Sequence, residues 1–250
     1  GVDRMSAVSD AERSAVTIDV SGPVPVVSAA AEMFFRRADH DAVVLADGKV
    51  LVCGGGRGHN VLAASTAGRV AEIWDPATDQ WAMCAASSDP RGFRSTSILL
   101  PDATVWTGGG VSNPGEGTNL TAEVFRPPYL FTADGQLAAR PTIAAAPAEV
   151  AHGEAFQVQL GSADPVSRVT LVRAGSATHG TDSDQRCLEL AVSQTGAVLD
   201  VTAPESGNVA PPGSYMLFVL DGAGVPSVAS MVRVRRPSPA QWQDLPSTDG

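Results

Sequence analysis

The sequence predicts an all-β protein: a partial kelch-type β-propeller of about two blades plus an outer strand, followed by an immunoglobulin-like β-sandwich. Three observations carry this. Glycine (25) and proline (18) are abundant and the apolar runs between them are short and rich in valine, as in chains of many short strands joined by turns. A unit of strand, turn, strand and glycine run occurs twice at a spacing of about 50 residues. From Arg140 onward the pattern changes to short alternating strands with turn signals at about ten-residue intervals.

Taken in chain order, residues 1–31 read as the end of a preceding blade and a linker, with Ser14–Val20 as an outer strand. The stretch from His40 to Gly55 can be laid over the stretch from Arg94 to Gly109, placing the first glycines, Gly54 and Gly108, 54 residues apart (108 − 54). That spacing is close to the period of kelch blades. The apolar runs Ala42–Leu45 and Val50–Cys53 are nearly continuous, as in strands covered on both faces. Asp47-Gly48 offers the positive φ angles of a two-residue hairpin loop. The glycine doublets let the backbone pass close to its neighbours and to a propeller axis. Val70–Trp81 supplies an outer hairpin turning at Pro76, and Thr121–Phe125 begins the equivalent piece of the next copy. Two kelch-type blades thus occupy residues 32–138, too little for a closed ring, since seven blades of this period need about 350 residues.

Residues 139–236 read as the sandwich, with strands at Ala155–Leu160, Val169–Arg173, Arg186–Val192, Ala197–Val201, Tyr215–Leu220 and Ser227–Val234. Residues 237–250 are rich in proline and serine and are expected to be disordered.

Charge and hydropathy narrow the function. Acidic residues (27) outnumber basic ones (17), and no basic stripe interleaves with aromatics, so nucleic acid is not an expected partner. No apolar run reaches the roughly 18 residues of a membrane span. Gly1-Val2-Asp3-Arg4 leads into a polar segment unlike a signal peptide. Cys53, Cys84 and Cys187 are an odd number at wide spacing. Cys53 and Cys84 flank one repeat and either pair in an oxidising compartment or serve as small buried hydrophobes.

Four motifs in order carry a resemblance. Arg91-Gly92-Phe93-Arg94-Ser95 precedes Leu99-Leu100-Pro101-Asp102 and the triplet Gly108–Gly110. Arg126-Pro127-Pro128-Tyr129-Leu130 follows, then Ala177-Thr178-His179 with Asp184-Gln185-Arg186. Last come Pro212–Val219 and Gly224–Ser230. Together they resemble the C-terminal portion of the galactose oxidase and glyoxal oxidase family of copper radical oxidases, from about residue 14 to 235. The resemblance implies the last kelch blades followed by an early-set, immunoglobulin-like domain, and an extracellular location. In that family two tyrosines and two histidines hold copper, and one tyrosine, cross-linked to a cysteine, forms the radical. The reaction takes an alcohol or aldehyde with oxygen to the oxidised product and hydrogen peroxide. Here only His179 falls on a matching ligand position. Phe93 stands at the axial-tyrosine position and Arg94 at the equatorial-histidine position. Phenylalanine has no donor atom, and a guanidinium has no lone pair for a metal. The two tyrosines present, Tyr129 and Tyr215, both lie in the structural motifs. The expected protein is therefore a catalytically degenerate scaffold, with carbohydrate, further propeller blades or another chain as partners and no cofactor of its own. Copper is expected only if the chain is part of an active oxidase.

Each candidate residue has a plainer alternative. His179 is a metal ligand or a loop histidine satisfied locally. His40, between Asp39 and Asp41, serves a binding site or a structural hydrogen bond. Arg94 binds a carboxylate or sugar hydroxyl through its planar fork, or forms a local salt bridge. His59, after the glycine-rich run Gly54–Gly58, looks superficially like part of a phosphate cradle, but that run ends a strand and opens no helix. Asn119-Leu120-Thr121 is a sequon that matters only in a eukaryotic secretory route.

Overall fold

The structure, a computed structural model, describes residues 11–56, 68–110, 119–178 and 181–236. The expected tail at 237–250 lies outside them. The described chain is almost entirely β and divides into two compact units. The first comprises the described residues of Gly1–Leu100, Thr104–Pro128 and Gly175–Gln185, and the second those of Pro101–Ala103, Tyr129–Ala174 and Arg186–Gly250. Among the described residues no helix is long and apolar enough to cross a membrane.

The first unit opens with an antiparallel pair, β1 (Ala15–Asp19) and β2 (Val26–Ala30). One outer strand is expected here from sequence. The structure adds a second, and both carry exposed apolar side chains, including Val16, Ile18, Val26 and Val27. A four-stranded antiparallel sheet follows, in the order β3 (Ala38–Val44), β4 (Val50–Gly56), β5 (Val70–Asp75) and β6 (Gln80–Ala86). The next sheet has three strands among the described residues, β7 (Ser95–Leu99), β8 (Val105–Gly109) and β9 (Ala122–Phe125). After β9, Arg126-Pro127-Pro128 leads into a single 3₁₀ turn at Pro128–Leu130.

The two sheets repeat one backbone plan. The β3–β4 and β7–β8 hairpins close with Leu45 N–H on Lys49 C=O (2.8 Å) and Leu100 N–H on Thr104 C=O (2.8 Å). Positive φ angles recur at Asp39 (57°) and Arg94 (66°), Gly48 (85°) and Ala103 (63°), Gly54 (70°) and Gly109 (71°), and Gly55 (80°) and Gly110 (96°). Every one of these pairs is 55 residues apart, as in 109 − 54 for Gly54 and Gly109. The repeat is therefore 55 residues, one more than the glycine overlay gives. The overlay matches Gly54 to Gly108, but Cys53 holds the place of Gly108, and His40 is equivalent to Ser95 rather than to Arg94. The hairpin loop also differs from expectation. Only Gly48 of Asp47-Gly48 has positive φ, and Gly48 N–H bonds Leu45 C=O (3.0 Å), a three-residue loop ending in a left-handed residue.

The second unit is a sandwich. One sheet runs β10 (Ile143–Ala145), β12 (Ala155–Leu160), β18 (Val198–Thr202), β17 (Val192–Thr195). The other runs β11 (Glu149–Ala151), β20 (Ser230–Arg235), β19 (Gly213–Asp221), β13 (Val166–Arg173), β16 (Cys187–Glu189), with β11 parallel to β20. Between β13 and β16 the chain forms a two-stranded ribbon, β14 (Ala177–Thr178) and β15 (Thr181–Asp182), which belongs to the first unit. β12 alternates exposed and buried residues at period two, and its Phe156, Val158 and Leu160 join Val169, Leu171, Leu217 and Val219 in the sandwich core. The expected single strand Arg186–Val192 is two strands in different sheets. Leu190 N–H bonds Val169 C=O in one sheet (2.9 Å), while Ala191 C=O accepts Thr202 N–H from the other (3.2 Å), so the chain changes sheets between these residues.

Candidate functional site

The inner ends of the two propeller-type sheets are built around buried arginines. Arg37, 3% exposed, donates from Nε and Nη2 to Glu72 Oε1 (3.0 and 2.8 Å), from Nη1 to Gly54 C=O (2.7 Å) and from Nη2 to Val70 C=O. The other Glu72 oxygen accepts Phe34 N–H (2.6 Å). The next sheet repeats the device with a change. Arg91 donates to Gly109 C=O (3.2 Å), Thr121 C=O (3.0 Å) and Thr121 Oγ1 (3.2 Å), while Glu123, the counterpart of Glu72, accepts Ser88 N–H (2.9 Å) and Asp89 N–H (3.3 Å). Each glutamate thus fixes the chain entering its sheet, and each arginine satisfies carbonyls at the glycine bend. Sequence reasoning misses Arg37 and names Arg91 only as part of a motif, without this role. The signal that could find them is an arginine 17 or 18 residues ahead of the left-handed glycine in both copies.

Between Arg91 and Ser95 the second copy has three residues, Gly92, Phe93 and Arg94; between Arg37 and His40 the first has two, Ala38 and Asp39. The extra residue makes a turn closed by Ser95 N–H on Gly92 C=O (2.8 Å). Arg94 occupies its third position with φ of 66°, the type II geometry that favours glycine. A non-glycine residue there costs about 1–2 kcal/mol. The Arg94 side chain is exposed, and its guanidinium carbon lies 5.0 Å from the centre of the half-buried Phe93 ring. Of the two alternatives drawn from sequence, a local salt bridge is not what holds Arg94 among the described residues; it rests on the aromatic ring.

Asp41 is buried beside this turn. It accepts the hydroxyls of Ser95 (2.8 Å) and Ser97 (3.1 Å), and Ser97 Oγ also lies 2.9 Å from Thr107 Oγ1 and 3.3 Å from Cys53 Sγ. Burial raises the Asp41 carboxyl above its ordinary 3.8, against the lowering by the two serines and Arg91. Burial likewise pushes the Cys53 thiol up to about 11. All three cysteines are free, so Cys53 and Cys84 do not pair, and Cys53 is half-buried with its Sγ against Ser97 Oγ. His40 lies on β3, its Nδ1 enclosed and without a hydrogen-bond partner, and burial, then Arg37, lowers its pKa below the ordinary 6.5.

His179 and His59 lie outside the described residues. The chain on either side of His179 is anchored: Gln185 accepts Val44 N–H at Oε1 (2.7 Å) and donates to Ala42 C=O (2.7 Å), and Gly175 sits so close to Ile98 that an added Cβ would lie 2.9 Å from Cγ1. Both tyrosines are committed to backbone. Tyr129 donates to Ala103 C=O (2.7 Å) and Tyr215, fully buried, to Pro211 C=O (2.8 Å). The sequon asparagine is folded into a turn, with Thr121 N–H and Oγ1 on its Oδ1 (2.9 and 2.8 Å). Copper does not fit the described donors: no group of three His, Cys, Asp or Glu side chains could hold a metal ion among them, Phe93 offers no lone pair, and Arg94 sets a fixed cation beside it.

Comparison with known proteins agrees with this architecture. Residues 140–234 match the galactose oxidase-like early-set domain family and residues 37–87 match the kelch motif. Galactose oxidase of Gibberella zeae is 37% identical over 232 residues, covering 90% of this chain and 34% of that protein. The aldehyde oxidase GLOX of Vitis pseudoreticulata is 39% identical over 162 residues, covering 58% and 30% respectively. Among solved structures, a fungal alcohol oxidase in complex with copper superposes with a TM-score of 0.83 at 31% identity, covering 90% of this chain and 48% of that one. The chain thus spans about a third of the length of these curated relatives.

Proposed function

This chain belongs to the galactose oxidase-like family, and we propose that it is the C-terminal portion of a secreted member that has lost radical-copper chemistry and serves extracellular carbohydrate binding. The observation that carries this reading is the pair Phe93 and Arg94, a ring without a donor and a guanidinium packed on it, at the two positions where the family resemblance implies metal ligands. The commitment of both tyrosine hydroxyls to backbone carbonyls supports it, since neither is free to become a radical or a ligand without breaking a structural hydrogen bond.

Further blades are the natural partner. Among the described residues β1 and β2 form a two-stranded sheet and β7 to β9 a three-stranded one, against four strands in β3 to β6, so strands from the rest of a longer polypeptide would pair at their edges.

The test is to incubate the full chain with copper(II) in air, count bound metal by elemental analysis and assay hydrogen peroxide with galactose and with small aldehydes. Bound copper well below one equivalent and background peroxide are expected. Stoichiometric copper together with substrate-dependent peroxide would sink the reading.

A further inference from the structure

We propose that the free edge of β1 is the docking site for an inner hairpin of the β3–β4 kind, supplied by a preceding blade of the same polypeptide. The inference rests on the reading that further blades accompany this chain, and it names where and in what register the first of them joins. β1 (Ala15–Asp19) starts 55 residues (70 − 15) ahead of β5 (Val70–Asp75), the same period that relates the two sheets. The two hairpins also close alike: Met33 N–H bonds Arg13 C=O (3.0 Å) beside β1 and β2 as Ser87 N–H bonds Arg69 C=O (2.9 Å) beside β5 and β6. β1 and β2 are thus the outer half of a sheet whose complete form is β3 to β6. In that form β4 lies antiparallel on the other edge of β5, with Leu51 opposite Ile73. Among the described residues β1 has no such neighbour. One period on from Val16 and Ile18 stand Ala71 and Ile73, which are 4% and 7% exposed, whereas Val16 and Ile18 are 61% and 58% exposed. An apolar face on an unpaired edge strand is a template for a further strand. β1 carries no proline or basic residue to block one, while Pro23 and Pro25 guard the entry to β2. The partner that fits is an antiparallel strand with a large apolar residue opposite Ile18, the place Leu51 takes against Ile73.

Amide hydrogen exchange of the full chain under reducing conditions, with and without a synthetic peptide of residues 38–56 (its own β3–β4 hairpin), tests this. Saturating peptide is expected to slow exchange in β1 at least about 10-fold, and the same peptide with Leu51→Asp to give no protection, since it would set a charge against Ile18. Ile18→Asp in the chain should leave the melting temperature of the free protein unchanged, because that side chain is exposed, yet abolish the protection. A second format fuses residues 38–56 directly ahead of Gly1; thirteen residues (57–69) join β4 to β5 and fourteen (1–14) precede β1, so the tether is long enough. The fusion should protect the same amides without added peptide and melt about 2–4 °C higher. Protection in either format that disappears with Leu51→Asp supports the assignment. No protection in both formats, equal protection with Leu51→Asp, or dimers of the free chain in which a second copy protects β1 would each overturn it. Copper uptake with substrate-dependent peroxide refutes the parent reading whatever happens at β1. A chain without copper or peroxide whose β1 edge takes no strand refutes only this site.

Discussion

Replacing Glu72 by alanine should be among the most damaging single changes in the first unit. The substitution removes the acceptor of Arg37 Nε (3.0 Å) and Nη2 (2.8 Å) and of Phe34 N–H (2.6 Å). It leaves a guanidinium with 0% side-chain exposure facing only the carbonyls of Gly54 and Val70. Breaking one half of such a buried pair costs about 3–5 kcal/mol. Glu123→Ala removes the equivalent residue of the next sheet, but that carboxylate is half-buried and bonds two backbone N–H groups, a loss of about 1–2 kcal/mol. Urea unfolding followed by tryptophan fluorescence reads the right region, since Trp74, Trp81 and Trp106 all belong to the first unit. The expected gap between the two variants is about 2 kcal/mol or more. The double variant Arg37→Met with Glu72→Leu should recover most of the loss, because it leaves no unpaired charge. A Glu72→Ala loss below about 1 kcal/mol, or equal to that of Glu123→Ala, would refute the claim that this pair organises the sheet.

Gly55→Ala should destabilise more than Gly135→Ala although both have φ of 80°, because the added Cβ at 55 meets Ala38 O at 2.7 Å and His40 Cβ at 2.9 Å, while at 135 it meets nothing within 4 Å. Chemical denaturation should give about 1–2 kcal/mol for Gly135 and clearly more for Gly55. Asp41 binds its proton more tightly when folded, so its contribution to stability is present at low pH and is lost as pH rises from 3.8 through the raised folded value; Asp41→Asn should abolish that slope in melts across acidic pH. His40 has the opposite sense: its folded pKa lies below 6.5, so stability falls as pH drops beneath 6.5, and His40→Asn should remove that loss in the same melts. With a thiol at about 11, Cys53 should resist iodoacetamide at pH 8 in native protein and react only on unfolding, as mass spectrometry of peptides would report.

Much of the fold is legible in the sequence because glycine and valine patterns report backbone geometry directly. The repeat is visible, but matching identical glycines sets its register one residue off. Cys53 stands where Gly108 does, and the property the two copies share is the positive φ one residue later. Ala103 holds the conformation of Gly48 without being glycine, so no residue-type rule aligns the two. The sheet change at Leu190-Ala191 leaves no trace because both residues are apolar and of a kind found in either sheet. At the candidate site, the motif that carries Phe93 and Arg94 is legible from sequence alone. The ring contact and the type II turn that hold them depend on one inserted residue, whose effect shows only in the folded chain.

That inserted residue is absorbed locally. The parts shared by both sheets, the arginine, the glutamate, the left-handed glycines and the left-handed residue at Asp39 and Arg94, support the scaffold, and the second copy adds one residue between its arginine and that left-handed position. One added residue is thus taken up inside the turn, and each sheet keeps its arginine on the glycine-bend carbonyl and its glutamate on the entering chain.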